Sequence, residues 1–393
     1  MAVLSVNFGG LPLKNPVVMA SAPPTETVDS IVRCAEAGAA AAIIKTVASY
    51  DAASFPLGAR RTRVDRSGFW ALSTFRRETL TLDEGVALVT GAVRRTDIPI
   101  IASVGALDMA PESWLPTCLA LQEAGASMIQ LDLFYLPHPR CSPESVLQLQ
   151  TLITNLAAKL RVPLAPKLNL ELPAHYAAQV LSNAPIAALL AIDSIRVPPP
   201  MELKGGPRSL IEYAENAGEC SLFGAWQKPI TLQYTRTLAE QSPLPICAGG
   251  GLMNGLDAIE AIMFGATTVQ FATAIIQKGY GWIGKILTEM EAFLDDAGHA
   301  DVSAIRGMAL QRFVRDEHRI DFGDVKAIVD HDLCIMCGKC TQQVFCPDID
   351  VVDSRIRVLD HCDGCGLCVA VCPTKPKSLS LVPAGRLTTK AHS

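Results

Sequence analysis

The pattern Cys362-x2-Cys365-x2-Cys368-x3-Cys372-Pro373 constrains this chain more than any other feature. Three thiolates at that spacing hold three corners of an iron–sulfur cubane, and the fourth, before proline, usually reaches a neighbouring cluster. A partner run precedes it, Cys334-x2-Cys337-x2-Cys340-x5-Cys346-Pro347. The usual crossing assigns Cys334, Cys337, Cys340 and Cys372 to one [4Fe-4S] cluster, and Cys362, Cys365, Cys368 and Cys346 to a second. Five residues precede Cys346 where three are usual, so the loop bulges or the site is altered. A pair of zinc knuckles is the alternative, although zinc takes four ligands per site and has no use for Cys-Pro. Eight of the 13 cysteines crowd into residues 334–372. Without a secretion signal, such spacing indicates cluster thiolates in a reducing compartment, not disulfides. Cys34, Cys118, Cys220 and Cys247 read as small buried apolar residues. Clusters pass single electrons, so the rest of the chain is expected to hold a two-electron carrier.

Residues 1–310 alternate short apolar runs with segments of helical period. Expected strands are 16–22, 40–47, 99–105, 128–133, 165–170, 187–194, 246–251 and 268–274. They lack clean polar alternation, as do parallel strands covered on both faces. Glycine often closes the preceding helix, as in Glu36-Ala37-Gly38, Glu123-Ala124-Gly125 and Phe264-Gly265, where a C-cap calls for a left-handed residue. Eight such units in roughly 300 residues fit a (β/α)8 TIM barrel. A doubly wound sheet is the alternative, but it usually carries a Gly-rich dinucleotide turn after its first strand. Here that strand ends in Ser21-Ala22-Pro23-Pro24.

The Pro- and Gly-rich connection from Arg196 to Trp226 follows a strand, which makes it a lid or wall on the catalytic face, or else a tolerated insertion. Residues 4–17, turning at Gly9-Gly10, read as a hairpin plugging the opposite end. The expected division is an α/β barrel over 1–310, a linker at 311–328, a bacterial ferredoxin-like α+β domain over 329–382 and a polar tail at 383–393. With 49% apolar residues a large core is available, and a net charge of −5 argues against nucleic-acid binding. Apolar runs such as 39–44 are strand-sized, short of the ~18 residues of a membrane span. Met1-Ala2-Val3-Leu4 opens no basic-then-apolar signal. A cytoplasmic enzyme, homodimeric or hetero-oligomeric, is expected.

Two segments suit a phosphate: Gly249-Gly250-Gly251 after strand seven, and Gln270-Phe271-Ala272-Thr273 closing strand eight. Backbone N–H groups there bind phosphate, and barrels commonly place it at this position. Lys45 and Lys167 end strands two and five and project into the mouth, where a cation stabilises an anionic reduced flavin. Met19-Ala20-Ser21-Ala22-Pro23, Ile44-Lys45-Thr46, Pro166-Lys167-Leu168 and Gly224-x3-Lys228-Pro229 complete a pattern. From Val17 onward it resembles the FMN barrel of the dihydroorotate dehydrogenase family. With the cysteine runs it is similar to the catalytic C-terminal portion of the dihydropyrimidine dehydrogenases, which in bacteria is a separate subunit. The resemblance implies FMN contacts at Ala20, Ser21, Lys45, Thr46, Lys167, Gly224, Gly249, Gly250, Ala272 and Thr273.

The departures fall at the substrate. That family ends strand four in a motif like Asn-x-Ser-Cys-Pro-His, where Asn binds pyrimidine and Cys moves the proton. This chain has Asp132-Leu133-Phe134-Tyr135-Leu136-Pro137-His138, and leucine transfers no proton. Strand six ends in Asp193-Ser194 in place of Asn-Thr, and the Asn after strand two's extension is missing from residues 68–73. Ionised Asp accepts but does not donate, and mismatched buried polar groups cost about 10^4 in discrimination. Asp132, Asp193 and Ser194 are therefore expected to bind a donor-rich or cationic group. Cys141, Tyr135 and His138 are the candidate proton donors. The leading expectation is an FMN reductase of an activated C=C or C=N bond in a non-pyrimidine substrate. It would be fed through the clusters by ferredoxin or an NAD(P)H-oxidising flavoprotein subunit. A non-catalytic electron-transfer subunit comes second. A dihydropyrimidine or dihydroorotate dehydrogenase with a relocated proton donor comes third.

Overall fold

The computed structural model describes residues 2–50, 62–64, 70–74, 79–136, 142–198, 200–204, 208–209, 220–312 and 325–383. The chain divides into two compact units, Met1–Val314 and Arg315–Ser393.

In the first unit eight parallel strands close on themselves: β1 Val17–Met19, β2 Ala41–Ile43, β3 Ile100–Gly105, β4 Met128–Asp132, β5 Leu164–Lys167, β6 Leu189–Ala191, β7 Ile246–Gly249 and β8 Thr268–Phe271. Each pairs with the next, and Val269 pairs with Val17 to shut the ring. Every residue of these strands is buried, because helices cover the outside and side chains fill the inside. That double covering is why the strands read as unbroken apolar runs. Seven of the eight strands lie within the expected segments, and β5 begins one residue before its own, at Leu164.

The helices begin on side-chain caps. Thr27 accepts from Ser30 N ahead of Val28–Glu36, and Thr81 with Glu84 forms a capping box ahead of Leu82–Arg95. These pairs satisfy amides that the first helical turn leaves without partners. Gly38, Gly125 and Gly265 adopt φ of 109°, 107° and 105°, so the expected helix-ending glycines are in place.

The N-terminal hairpin is present. Val6–Phe8 pairs antiparallel with Leu11–Leu13, and fully buried Phe8 clusters with Leu13, Val18, Ile43, Ile101, Met128 and Leu190. This apolar plug fills the barrel's N-terminal end. At the other end a small antiparallel sheet aligns Ile195–Val197, Cys220–Phe223, Ala71–Thr74 and Thr62–Val64 in that order. The long connection after strand six supplies its first two strands.

In the second unit, β9 Val325–Val329 pairs with β12 Leu379–Pro383, and β10 Ile349–Val352 pairs with β11 Arg355–Val358, both antiparallel. β9 opens inside the segment expected to be linker, and residues 313–324 and 384–393 lie outside the described set. Short helices Lys339–Gln342 and Leu367–Val371 each follow a left-handed glycine, Gly338 and Gly366. The two cysteine runs therefore build two similar halves. No helix among the described residues is long and apolar enough to cross a membrane.

Candidate functional site

Strand register brings the charged groups together. Lys167, last in β5, pairs with Asp132, last in β4. Parallel strands that end level project these side chains into one mouth. A cavity of about 450 Å³ opens there, lined by Ala20, Ser21, Lys45, Thr46, Asp132, Tyr135, Lys167, Asp193, Ser194, Gly250, Ala272 and Thr273 among others. Thus eight of the ten expected FMN contacts, all three expected substrate residues and Tyr135 share one cavity. Gly224 and Gly249 stand outside its wall. His138 and Cys141 lie outside the described residues.

The floor of the cavity is a directed hydrogen-bond chain. Gln130 Nε2 donates to Ser103 Oγ at 2.8 Å, and Ser103 Oγ lies 2.9 Å from Thr46 Oγ1. Thr46 donates to Asp132 Oδ2 at 2.8 Å, while Ser21 Oγ sits 3.0 Å from the same threonine hydroxyl. With its own hydrogen committed to Asp132, Thr46 accepts from Ser103 and Ser21. Phe134 N also donates to Asp132 Oδ1. Burial lifts the Asp132 carboxyl to about 6 and the Asp193 charge adds to the lift, while Lys167, Thr46 and Lys45 oppose it. A buried acid beside a like charge is costly to ionise, so Asp132 titrates close to neutrality.

On the opposite wall Lys167 Nζ donates to Gln270 Oε1 at 3.1 Å and lies 3.8 Å from Asp193 Oδ2. Gln270 Nε2 is buried without a hydrogen-bond partner among the described residues. An unmatched donor inside a cavity is expensive unless a ligand accepts from it. Gly249 explains how Gln270 reaches this position, since a Cβ at Gly249 would stand 2.0 Å from Gln270 Cγ. Gly249 thus makes room for a cavity residue. Gln227 Nε2, also in the wall, donates to Asp193 O at 2.7 Å. A largely apolar slot edged by Lys45, Lys167 and an unmatched amide donor fits a flavin ring, whose pyrimidine edge is acceptor-rich, and its volume is that of a small-molecule site.

The cysteines form two sets. Burial raises the Cys340 thiol, and the neighbours that add to it are Cys334, Cys337 and Cys372. Burial pushes Cys368 up to about 11, and its neighbours are Cys362, Cys365 and Cys346. The first set lines a small pocket together with Thr374, Ser378 and Leu379. Among the described residues no group of three or more His, Cys, Asp or Glu closes on a point where a single metal ion would sit. The longer spacing before Cys346 bulges the loop, with Phe345 at φ 51° and 95% exposed, and Cys346 keeps its place in its set. Cys34, Cys118, Cys220 and Cys247 are buried, and burial raises each thiol, as expected of packing residues.

The dihydroorotate dehydrogenase family model matches residues 142–294, and a 4Fe-4S dicluster domain matches residues 326–373. The chain is a dihydroorotate dehydrogenase-like barrel followed by an iron–sulfur domain. It is 24% identical over 322 residues to the catalytic subunit of dihydroorotate dehydrogenase B (NAD(+)) of Thermoplasma acidophilum, covering 79% of this chain and 100% of that protein. It is 24% identical over 361 residues to the NAD-dependent dihydropyrimidine dehydrogenase subunit PreA of Escherichia coli, covering 86% and 84%. The catalytic subunit from Geobacter sulfurreducens is 41% identical over 86 residues, 22% of this chain and 28% of that protein.

Several site residues of this dehydrogenase-like barrel escape the sequence reading. Gln130 interrupts the apolar run of Met128, Ile129 and Leu131, and that interruption is its signal, while Gln270, read in the sequence as part of a phosphate segment, instead pairs with Lys167. Ala71, Ser221 and Phe223 enter the wall from the antiparallel sheet, whose pairing joins segments about 150 positions apart and leaves no local trace. Arg196 donates to the carbonyls of Phe134 and Leu136, lies 5.0 Å from the Phe134 ring and meets Glu171 Oε1 at 3.4 Å. It ties the segment after β4 to the connection after β6. Leu136, at the position of the family's proton-transferring cysteine, is buried outside the cavity wall. Gly279-x-Gly281-x-x-Gly284 spells a dinucleotide-type pattern. It joins helix Thr273–Lys278 to helix Trp282–Asp296, so the strand–turn–helix context that the pattern needs is missing.

Proposed function

We propose that this protein is a cytoplasmic FMN and iron–sulfur oxidoreductase acting on a CH–CH or CH–NH group. Its substrate is a small cyclic molecule carrying a donor-rich or cationic edge, not a pyrimidine. The observation that carries this reading is the convergence of Asp132 and Asp193 in the wall of one cavity with Lys167 between them. Carboxylates supply acceptors where a pyrimidine amide needs both a donor and an acceptor.

Lys45, Lys167, Gln270, Gly250, Ala272 and Thr273 would hold the flavin. When bound, it supplies two-electron hydride chemistry and collects single electrons from the clusters. Asp132 and Asp193 hold and orient the substrate's donor edge. Tyr135, in the cavity wall, is one source of the accompanying proton; His138 and Cys141, from the same segment, are the others. Two [4Fe-4S] clusters, on the two sets of four cysteines, carry electrons from a ferredoxin or from an NAD(P)H-oxidising flavoprotein subunit. The relatives' names, a catalytic subunit and a subunit, support an assembly of that kind.

Anaerobically purified protein should contain FMN and about eight iron atoms per chain. NADH or NADPH alone should leave the flavin oxidised, while dithionite or reduced ferredoxin should bleach it. Uracil, thymine and dihydroorotate should not turn over, and Asp132→Asn, Asp193→Asn together should gain pyrimidine binding. Cyclic amines and amidines, added to the FMN-loaded enzyme, should perturb the flavin spectrum. Wild-type turnover of uracil at ordinary enzymatic rates would overturn the substrate assignment and restore a relocated proton donor.

A further inference from the structure

Resting on the two-cluster reading above, we propose that the clusters are electronically unequal. The one held by Cys334, Cys337, Cys340 and Cys372 has the higher reduction potential and is filled first. Cys372 Sγ lies 3.2 Å from Ser378 Oγ and 3.3 Å from Thr374 Oγ1. Thr374 Oγ1 already accepts from Ser378 N at 2.7 Å, so its hydrogen is free for the sulfur. A cluster-bound thiolate has no hydrogen to give, so both hydroxyls donate to it. Ser378 is 4% exposed, which shields its bond from water. Among the described residues, no other cysteine of the two runs has a hydroxyl within hydrogen-bonding distance.

The carboxylates point the same way: within three positions of the ligands of the second set stand Asp348, Asp360 and Asp363. The lysines that reach this set, Lys326 on Asp360 O and Lys377 on Val369 O and Ala370 O, give their hydrogens to backbone carbonyls. Asp363 Oδ1 accepts from Cys365 N at 3.0 Å. The same count around the first set gives Asp332 against Lys339 and Lys375. Reduction adds a negative charge to a cluster. Hydrogen bonds to its sulfurs and cationic neighbours stabilise the reduced form, and nearby carboxylates destabilise it. Ser378 and Thr374 are thus positioning residues that act through Cys372, with no contact to substrate or flavin needed. Their consequence is order: the first electron to arrive rests on the Cys372 cluster.

The test is an anaerobic potentiometric titration of the holoenzyme followed by EPR. Two resolved one-electron cluster steps are expected. Ser378→Ala and Thr374→Val should each lower the upper step, so that at the wild-type midpoint the reduced-to-oxidised ratio falls about 3- to 30-fold (tenfold being about 59 mV for one electron). The lower step should stay fixed, and Thr374→Ser, which keeps the donor, should hold the wild-type midpoint. Asp363→Asn should raise the lower step only. Coincident steps, movement of the lower step by Ser378→Ala, or equal loss in Thr374→Ser would each overturn the inequality. Iron analysis on the same samples separates the two ideas. About four iron atoms per chain, or none, would sink the two-cluster reading itself, whereas about eight with unshifted midpoints sinks only the inequality.

Discussion

Around the barrel strands an apolar layer runs continuously from Leu4 to Ile305, and a second cluster under Phe8 fills the ring. The core of the cluster unit is eight buried side chains, three of them the cysteines Cys340, Cys368 and Cys372. Its described part is 59 residues long, residues 325–383, a size at which hydrophobic burial alone is marginal and metals or other staples usually add the rest. The barrel is therefore expected to stand without its cofactor and the smaller unit is not. On this reading the two units are stabilised by different physics, one by burial and the other by ligation.

The largest effect should come from removing iron. Chelation under reducing conditions should expose residues 325–383 to protease and to hydrogen exchange while the barrel's protection stays intact, because ligation is folding energy for such a unit. Persistent protection of 325–383 in iron-free protein would break the contrast. Next, Phe8→Ala should cost the barrel about 3–5 kcal/mol, read as a lower denaturation midpoint, with the cluster EPR signals unchanged. A matching loss of clusters would mean that the units share stability.

Smaller again, Lys167→Met should weaken FMN binding by about 10- to 100-fold, as loss of a charge-assisted hydrogen bond of about 1.5–3 kcal/mol implies. Flavin fluorescence on dilution measures it, and unchanged retention would remove Lys167 from the flavin site. The smallest effect is a pH dependence. The Asp132 carboxyl is raised to about 6, first by burial and then by Asp193. A raised acid stabilises the fold most below its unfolded value and loses that contribution as pH rises through its folded value. Asp132→Asn abolishes the loss, so its stability relative to wild type should improve by about 1–1.5 kcal/mol between pH 5 and pH 8. A flat difference, measured by denaturant titration of flavin-free protein, would show that the surroundings of Asp132 do not raise its carboxyl.

How much of this could be read in the sequence follows from where the physics is local. Parallel strands buried on both faces must be apolar along their length, and β1 to β8 were legible for that reason. Cluster cysteines must be closely spaced, so Cys334 to Cys372 were legible too. Lys45, Lys167, Asp132 and Asp193 could be named because each stands where a strand ends. What stayed hidden depends on distant pairing: the register that sets Lys167 beside Asp132, the sheet that brings in Ser221 and Phe223, and the reach of Gln270 across Gly249. Ser103 and Gln130 were hidden differently. Their polarity is visible, but their task appears only when Thr46 and Ser21 arrive from other strands.

Phe345 shows how the cluster unit handles a change of length. The two extra residues before Cys346 are absorbed by a bulge whose tip, Phe345, points away with 95% of its surface open, while Cys346 stays with Cys362, Cys365 and Cys368. Loop length and cage geometry are therefore decoupled at this point. A reporter group attached at position 345 is therefore expected to watch the surface of this unit without disturbing the position of Cys346.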